Sequence, residues 1–481
     1  MIRKLLRRVF RRAAPANTPP EPAVIPVARH GVRRDQISPA ANKVCTTLQE
    51  AGHKAFVVGG AVRDIIVGQT PKDFDVATSA TPEEVRALFR RSRIIGRRFK
   101  IVHVMSGPET IEVSTFRAMQ AAESTETDEH GRVLRDNVFG SMAEDATRRD
   151  FTVNALYYDP RREIVVDYHH GIDDAKRRLL RMIGDPETRY REDPVRIIRV
   201  VRFAAKLGFE IDTETRKPIL RMADLLANVP ASRLFDEMIK LLQTGHALAS
   251  LEELRRQGLH RGIFPILDAV LDDAHRHDGR EKFIHQALAD TDRRVNEGKA
   301  VAPSFMLACM LWHDVVKRRD KLRQDGEQAM PALLQAIDQV FDARIGDISG
   351  RGKLAADMRE IWTMQPRFER RTPNAAESLL AQPRFRAGFD FLRLRADAGE
   401  ADEALAQWWE EYSLADPGER PALLEAARDD ELQRRSGGAP VTSASAPAKK
   451  RRRRRKPGVG RAGSEADAAP GGAGAPSTAD D

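Results

Sequence analysis

Apolar residues recur along this chain with two different periods, and the change from one to the other divides it. Between Ser38 and Ile183 short alternating runs are mixed with short helical ones. Ser38-Pro39 opens a helix through Leu48, with serine as cap and proline in the first turn. Lys54 to Val58 reads as a buried strand, Gly59-Gly60 as a turn, and Ala61 to Val67 as the helix after it. Thr81-Pro82-Glu83-Glu84 is a capping box that starts a helix to Phe89. Arg93 to Gly96, Lys100 to Met105 and Thr110 to Phe116 alternate as strands. Met119 to Asn137 is polar and aperiodic, hence a mobile loop. A helix and a strand follow around Arg148 to Tyr158, then a strand at Glu163 to Asp167. Beyond Asp193 the strands stop, and helical periods with polar joints continue to about Arg428. The pattern predicts an α+β protein: a small mixed-sheet head, then an all-helical remainder.

The two ends differ from this. In Met1 to Arg12, Ile2, Leu5, Leu6, Val9 and Phe10 fall on one helical face among Arg and Lys residues, which fits either a short interfacial helix or a disordered basic leader. Pro15, Pro19, Pro20, Pro22 and Pro26 make a stiff linker up to about Arg34. From Gly437 the chain is Gly, Pro, Ala and Ser around the run Lys449 to Lys456, and is expected to be disordered. The net charge of +9 points to a polyanionic partner. Cys45 and Cys309 are the only cysteines, which excludes a disulfide framework or zinc cluster and fits a reducing cytoplasm. No run approaches the ~20 apolar residues of a membrane span.

Three clusters carry chemistry. Pro71-Lys72-Asp73-Phe74-Asp75-Val76 puts two carboxylates two positions apart; in an extended strand they converge while Phe74 and Val76 face a core. Such a pair repels unless a cation lies between, and Mg²⁺ held by carboxylates and substrate phosphates is the usual one. Just upstream, Gly59-Gly60 lets backbone approach a phosphate, and Arg63 adds a charge-assisted contact. The second cluster is Arg148-Arg149-Asp150-Phe151-Thr152-Val153-Asn154-Ala155. Asp150 is a candidate third carboxylate, with Glu112 as its rival, and Arg149 is placed to hold a triphosphate. The third is Arg191-Glu192-Asp193-Pro194-Val195-Arg196 with Arg199 and Arg202. At spacings of three these share a helix face, and an acceptor beside donors matches the edge of adenine.

Together the runs GG-x-VRD…DFD, RRDFTVNAL and EDPVRIIRVVRF resemble the class II nucleotidyltransferase superfamily, which comprises bacterial poly(A) polymerases and CCA-adding tRNA nucleotidyltransferases. The resemblance runs from about Asp35 to Trp409. It implies a β-polymerase-like catalytic head at 35–183, a helical neck at 184–260 that selects the nucleotide and contacts RNA, and a helical body and tail at 261–436. Residues 1–34 and 437–481 are then basic appendages. The resemblance makes Asp73 and Asp75 ligands of two Mg²⁺ ions, with Asp150 a third catalytic carboxylate. It puts Gly60, Arg63 and Arg149 on the triphosphate positions, with Gly59 also nucleotide-binding, and Asp193 and Arg196 on the base-reading positions, with Arg199 and Arg202 nearby. ATP is the implied substrate, and RNA 3′ ends (mRNA, small RNAs, decay intermediates) are the implied partners, with no role for DNA.

Within the superfamily, Ile94 to Val104, Ala231-Ser232-Arg233-Leu234-Phe235-Asp236-Glu237 with Lys240-Leu241-Leu242, and Phe385-Arg386-Ala387 with Leu394-Arg395-Ala396 are similar to the poly(A) polymerases. The expected activity is AMP transfer from ATP to an RNA 3′-hydroxyl, in the service of RNA turnover. CCA addition, and a catalytically silent RNA-binding protein, are the alternatives. The expected setting is the cytoplasm, with room for peripheral membrane contact through residues 1–12 and for association with RNA-degradation machinery. His313-Asp314 resembles a phosphohydrolase dyad, but the glycine usual before Lys317 is absent and only His285 offers itself as a further ligand. Packing or helix capping is the reading preferred there. The basic tail is expected to contact RNA.

Overall fold

The computed structural model describes residues 21–96, 100–118, 138–259, 262–271, 280–345 and 351–435. The basic leader, the Met119–Asn137 loop and the tail from Gly437 lie outside them. In the head, β1 (Ala23–Pro26) precedes α1 (Pro39–Glu50), β2 (Ala55–Val58), α2 (Gly60–Ile66), β3 (Asp75–Thr78) and α3 (Pro82–Leu88). Next come β4 (Ser92–Ile95), β5 (Ile101–Ser106), β6 (Glu109–Thr115), α4 (Met142–Arg148), β7 (Leu156–Asp159), β8 (Ile164–Asp167) and α5 (Gly171–Lys176). The caps form as their sequences require. Ser38 Oγ accepts from the Ala41 amide at 3.1 Å, and Thr81 and Glu84 form a reciprocal capping box.

The eight strands form one mixed sheet in the order β1-β8-β7-β2-β3-β6-β5-β4. Only the β3–β6 pair is parallel; the other neighbours are antiparallel. Central strands are buried on both faces. Val57, Val76, Val102 and Val113 pack with α1, α2 and α3, whereas Phe56, Val58, Ala77, Phe116 and Tyr157 form a separate cluster with Ala146 of α4. Alternation places Asp75 on the second face, with Ala77. That face has the lighter helical cover, and the catalytic-type carboxylates lie on it.

Two expectations need correction here. The stiff linker does not extend to Arg34. Ala23–Pro26 is an edge strand on β8, and His30 and Val32 are buried. Its proline sits where an edge tolerates a missing donor. Nor do strands end at Asp193. Leu179–Leu180 (β9) pairs in parallel with Glu210–Ile211 (β10), a two-stranded clip between the head's end and the first long helix of the remainder. Runs this short carry no period to read.

The helical part comprises α6 (Pro186–Glu192), α7 (Val195–Leu207), α8 (Ala231–Leu242), α9 (Ala247–Arg256), α10 (Pro265–Leu271), α11 (Arg280–Asn296) and α12 (Pro303–Gln324). It continues through α13 (Ala329–Arg344), α14 (Arg351–Phe368), α15 (Pro373–Leu380), α16 (Phe385–Asp397), α17 (Glu403–Leu414) and α18 (Arg420–Arg435). One core runs from Phe151 and Val153 of the head through Val195–Leu207 to Phe391 and Leu394. A smaller aromatic core holds Phe368, Phe385, Phe389, Trp409 and Tyr412. Cys45 and Cys309 are buried free thiols.

The turn entering α5 fixes the Arg148–Ala155 segment. A Cβ on Gly171 would lie 2.1 Å from the Thr152 carbonyl oxygen, and Thr152 Oγ1 donates to Asp174 at 2.8 Å. Gly171→Ala should therefore cost about 1–3 kcal/mol through overpacking. Denaturant unfolding reads this directly, and a loss below about 0.5 kcal/mol would mean the two segments separate freely.

Candidate active site

Asp75 opens β3 and pairs in register with Glu112 on the parallel strand β6, while Glu112 faces His103 on β5. The strand order thus sets two carboxylates side by side, with Asp73 just before the strand and Phe74 and Val76 turned into the core. Asp75 reaches solvent, yet partial desolvation at the cavity, then Glu112 and Asp73, push its carboxyl up to about 6, against the pull of Arg149. This excess of negative charge is what a cation relieves. Among the described residues no three His, Cys, Asp or Glu side chains form a ready-made metal cage. The arrangement fits Mg²⁺, which keeps few protein ligands and takes its others from substrate phosphates and water.

Glu112, not Asp150, is the carboxylate beside Asp75. Asp150 Oδ1 accepts from the Phe151 amide at 2.9 Å and from Asn154 at 3.2 Å, and its Oδ2 accepts from Arg199 Nε at 3.2 Å. Burial alone would raise its pKa; the Arg199 guanidinium outweighs that and holds it below the usual range. Asp150 therefore arrives already neutralised.

Arg149 is held from three sides. It donates to Asp145 Oδ2 at 3.2 Å, to the Tyr157 hydroxyl oxygen at 3.1 Å and to the Asn154 carbonyl at 3.2 Å. Asp145 also takes Arg148 at 3.0 Å and the Tyr157 hydroxyl at 2.7 Å. Gly59 adopts φ 71°, a left-handed conformation that favours glycine, and its missing Cβ would stand 3.5 Å from Arg149 Nη1. Gly60 opens α2. Arg63 departs from expectation. It is 2% exposed and donates to Asp64 at 2.7 Å and to Asn154 at 2.5 Å, so it braces the turn and offers no free guanidinium.

Asp193 ends α6, and the helix that carries the arginines begins only at Val195. The expected single stripe is thus broken by Pro194, yet the side chains still meet. Asp193, Arg196 and Arg199 line one cavity of about 440 Å³ with Asp75, Glu112 and Arg149. Asp193 accepts from Arg233 at 3.1 Å through Oδ2, and its buried Oδ1 has no partner. Arg196 donates to the Arg189 carbonyl and to Glu192, both at 2.9 Å. Arg202 is not part of the lining; it is 9% exposed and donates to Glu237 at 3.1 Å. Arg189, Asp145 and Tyr157 were not singled out in the sequence. Their only signal there is position, just outside each motif.

His313 and Asp314 lie inside α12, and among the described residues they belong to no group of three or more His, Cys, Asp or Glu that could hold a metal. His313 Nε2 meets Glu400 at 2.6 Å and its ring packs edge-on against Phe283, while Asp314 accepts from Arg344 at 2.8 Å. His285 is exposed. The packing reading holds.

Comparison with known proteins gives the class first. Residues 55–181 match the family model "Poly A polymerase head domain", 208–271 "Probable RNA and SrmB- binding site of polymerase A", and 325–457 "Polymerase A arginine-rich C-terminus". A solved tRNA-processing enzyme complex superposes with a TM-score of 0.50 at 20% identity, over 82% of this chain and 99% of that one, a likeness of fold. The head match places the chain among the nucleotidyltransferases. Within them the chain belongs to the bacterial poly(A) polymerase family. It is 42% identical to Poly(A) polymerase I of Salmonella typhi over 446 residues, which is 91% of this chain and 96% of that protein. The CCA-adding enzyme of Bacillus velezensis is 39% identical over 212 residues, only 44% of this chain and 52% of that one.

Two outcomes follow for the carboxylates. Asp75→Asn and Glu112→Gln should each lower nucleotide addition by at least about a hundredfold with RNA binding retained, while Asp150→Asn should cost less, because it loosens Arg199 instead of removing a ligand. Primer extension with a parallel filter-binding assay checks this. The reverse order would return the third-carboxylate role to Asp150. Asp75 also gains a proton as pH falls through about 6, so protons compete with the metal. The Mg²⁺ needed for half-maximal rate should be level above about pH 7 and climb by up to about tenfold per unit below pH 6. A level requirement down to about pH 5 would remove Asp75 from the ligands.

Proposed function

We infer that this chain is a polynucleotide adenylyltransferase that transfers AMP from ATP to the 3′-hydroxyl of RNA, without a template, and releases pyrophosphate. The observation that carries the reading is one cavity in which a carboxylate pair on the sheet stands opposite Asp193 and Arg196. Near-full-length similarity to Poly(A) polymerase I supports the poly(A) branch, since the likeness to the CCA-adding enzyme ends near half of each chain.

In this reading Asp73 and Asp75 hold two Mg²⁺ ions, with Glu112 beside them. Bound there, the ions lower the pKa of the attacking 3′-hydroxyl and stabilise charge on the triphosphate and the leaving pyrophosphate. The chain itself supplies position. Arg149, fixed by Asp145, Tyr157 and the Asn154 carbonyl, offers an already oriented guanidinium to the phosphates. The unpartnered Oδ1 of Asp193 is an acceptor for the adenine amino group, and Arg196 is a donor for a ring nitrogen. Asp150 and Glu237 keep Arg199 in line between the phosphate and base ends.

RNA 3′ ends are the acceptors, and promotion of RNA turnover beside degradation enzymes is the role this activity serves. The setting is cytoplasmic, with residues 1–12 available for peripheral membrane contact. Among the described residues no helix is long and apolar enough to cross a bilayer.

The test offers each nucleoside triphosphate with an unstructured RNA primer and reads the bases added. ATP alone should be used efficiently. Asp193→Ala should reduce discrimination against the other triphosphates by about 1–3 kcal/mol, the cost of leaving a polar partner unmet, with little effect on triphosphate affinity. Addition of CMP before AMP on a tRNA lacking its end would favour the CCA-adding reading. No addition under any condition would favour a silent RNA-binding protein.

A further inference from the structure

A second cavity, of about 620 Å³, opens among α12, α13, α14 and α16 and shares no residue with the head cavity. Part of its lining is apolar, with Met330, Leu333 and Pro366. The remainder is charged and unbalanced: Arg319, Arg323, Arg367, Arg370 and Arg395 stand against Asp320 and Glu369. Asp320 is taken up by its neighbour Arg319 at 2.6 Å. Arg323 reaches a backbone carbonyl, that of Glu327 at 3.2 Å. Neither Arg367 nor Arg370 forms a side-chain ion pair among the described residues.

Arg395 is the key group. It is half-buried, with its guanidinium 5.1 Å from the Trp312 ring centroid. Its donors go to neutral acceptors, the Gln365 side chain at 3.2 Å and the Glu400 carbonyl at 3.4 Å. Its Nε is buried and bonded to nothing. The Glu400 carboxylate bonds to His313 and does not contact Arg395. Burial lowers the Arg395 pKa below its usual value, although Glu400 and Glu369 act across space to raise it. Buried cations are ordinarily paired, because removing charge from water costs several kcal/mol. Among the described residues no carboxylate forms an ion pair with Arg395, and Glu400 and Glu369 answer its charge only across space.

We propose that this cavity binds a phosphate group of a nucleotide. Arg395, Arg367 and Arg370 take the phosphate oxygens, for which the planar guanidinium fork is suited, and Met330 and Leu333 cover the sugar or base. The volume falls in the ~300–1,000 Å³ range of small-ligand sites. Two sources share this chemistry: a free nucleotide, and a nucleotide of the RNA strand upstream of its 3′ end.

The full-length protein, Arg395→Gln and the double variant Arg367→Ala/Arg370→Ala are compared. Arg395 packs on Trp312, so its variant risks the fold; the double variant changes side chains at the cavity edge and carries the test by itself. Magnesium-free calorimetric titration with AMP, and filter binding of a 20-nucleotide oligoadenylate across a salt series, are the two arms. A free-nucleotide site predicts one fewer AMP bound per chain in the double variant, with an unchanged salt slope. An RNA site predicts unchanged AMP stoichiometry and a slope of log affinity against log salt flatter by about 0.7 per lost phosphate contact. Extension of a trinucleotide primer should match wild type in both cases. Wild-type AMP stoichiometry together with a wild-type salt slope would overturn the proposal.

Discussion

One buried guanidinium stitches the joint between sheet and helices. Arg189, 8% exposed, donates to the carbonyls of Arg148 and Arg149 at 2.8 and 2.7 Å and to Glu192 at 3.0 Å, and its own carbonyl accepts from Arg196. The head's arginine segment and the Arg189–Arg196 stretch are therefore one hydrogen-bonded body. Burial pulls the Arg189 pKa down, yet Glu192 and two backbone carbonyls keep the charge worth holding there. The Asp150–Arg199 bond and the core shared by Phe151, Val153 and Val195–Leu207 hold the same two parts together, so the spacing of Asp75 and Asp193 is fixed from several sides.

Around that joint the cavity is polarised. The sheet side is acidic, with Asp75 and Glu112, and the helical side is rich in arginine. Five of the lining arginines are themselves restrained by carboxylates: Arg148 and Arg149 by Asp145, Arg199 by Asp150 and Glu237, Arg196 by Glu192, and Arg233 by Asp193. Such restraint lowers the entropy lost when phosphate arrives, since the side chains are already ordered. The acid side is left under-compensated, as a cation site requires.

Much of the head was legible. β2, β4, β5, β6, β8 and most helices of the head begin and end within a residue or two of the pattern, because strong caps and continuous apolar runs punctuate them. The pairing of Asp75 with Glu112 was legible only as an open choice, because strand order decides which carboxylate is the neighbour and no local pattern encodes strand order. Arg63 shows the opposite failure. Its motif position suggested phosphate, but a guanidinium one turn into α2 can reach Asn154, and long-range contact decides the matter. Asp193 was misplaced by one helix, since the proline that follows it ends α6 and restarts the chain as α7. The β9–β10 clip is too short for any period to reveal.

The edge strand β1 has a consequence in time. Ala23 pairs with Asp167 and Pro26 with Ile164, so the first strand of the sheet closes on the last. At ribosomal speeds of about 5–20 residues per second, β1 waits on the order of ten seconds before its partner exists. Through that interval its own backbone donors and acceptors stay unmatched, and the sheet cannot be completed by local pairing. The head is thus obliged to finish folding late, after the arginine segment and α4 have left the ribosome, so the polymerising site and the sheet edge mature nearly together.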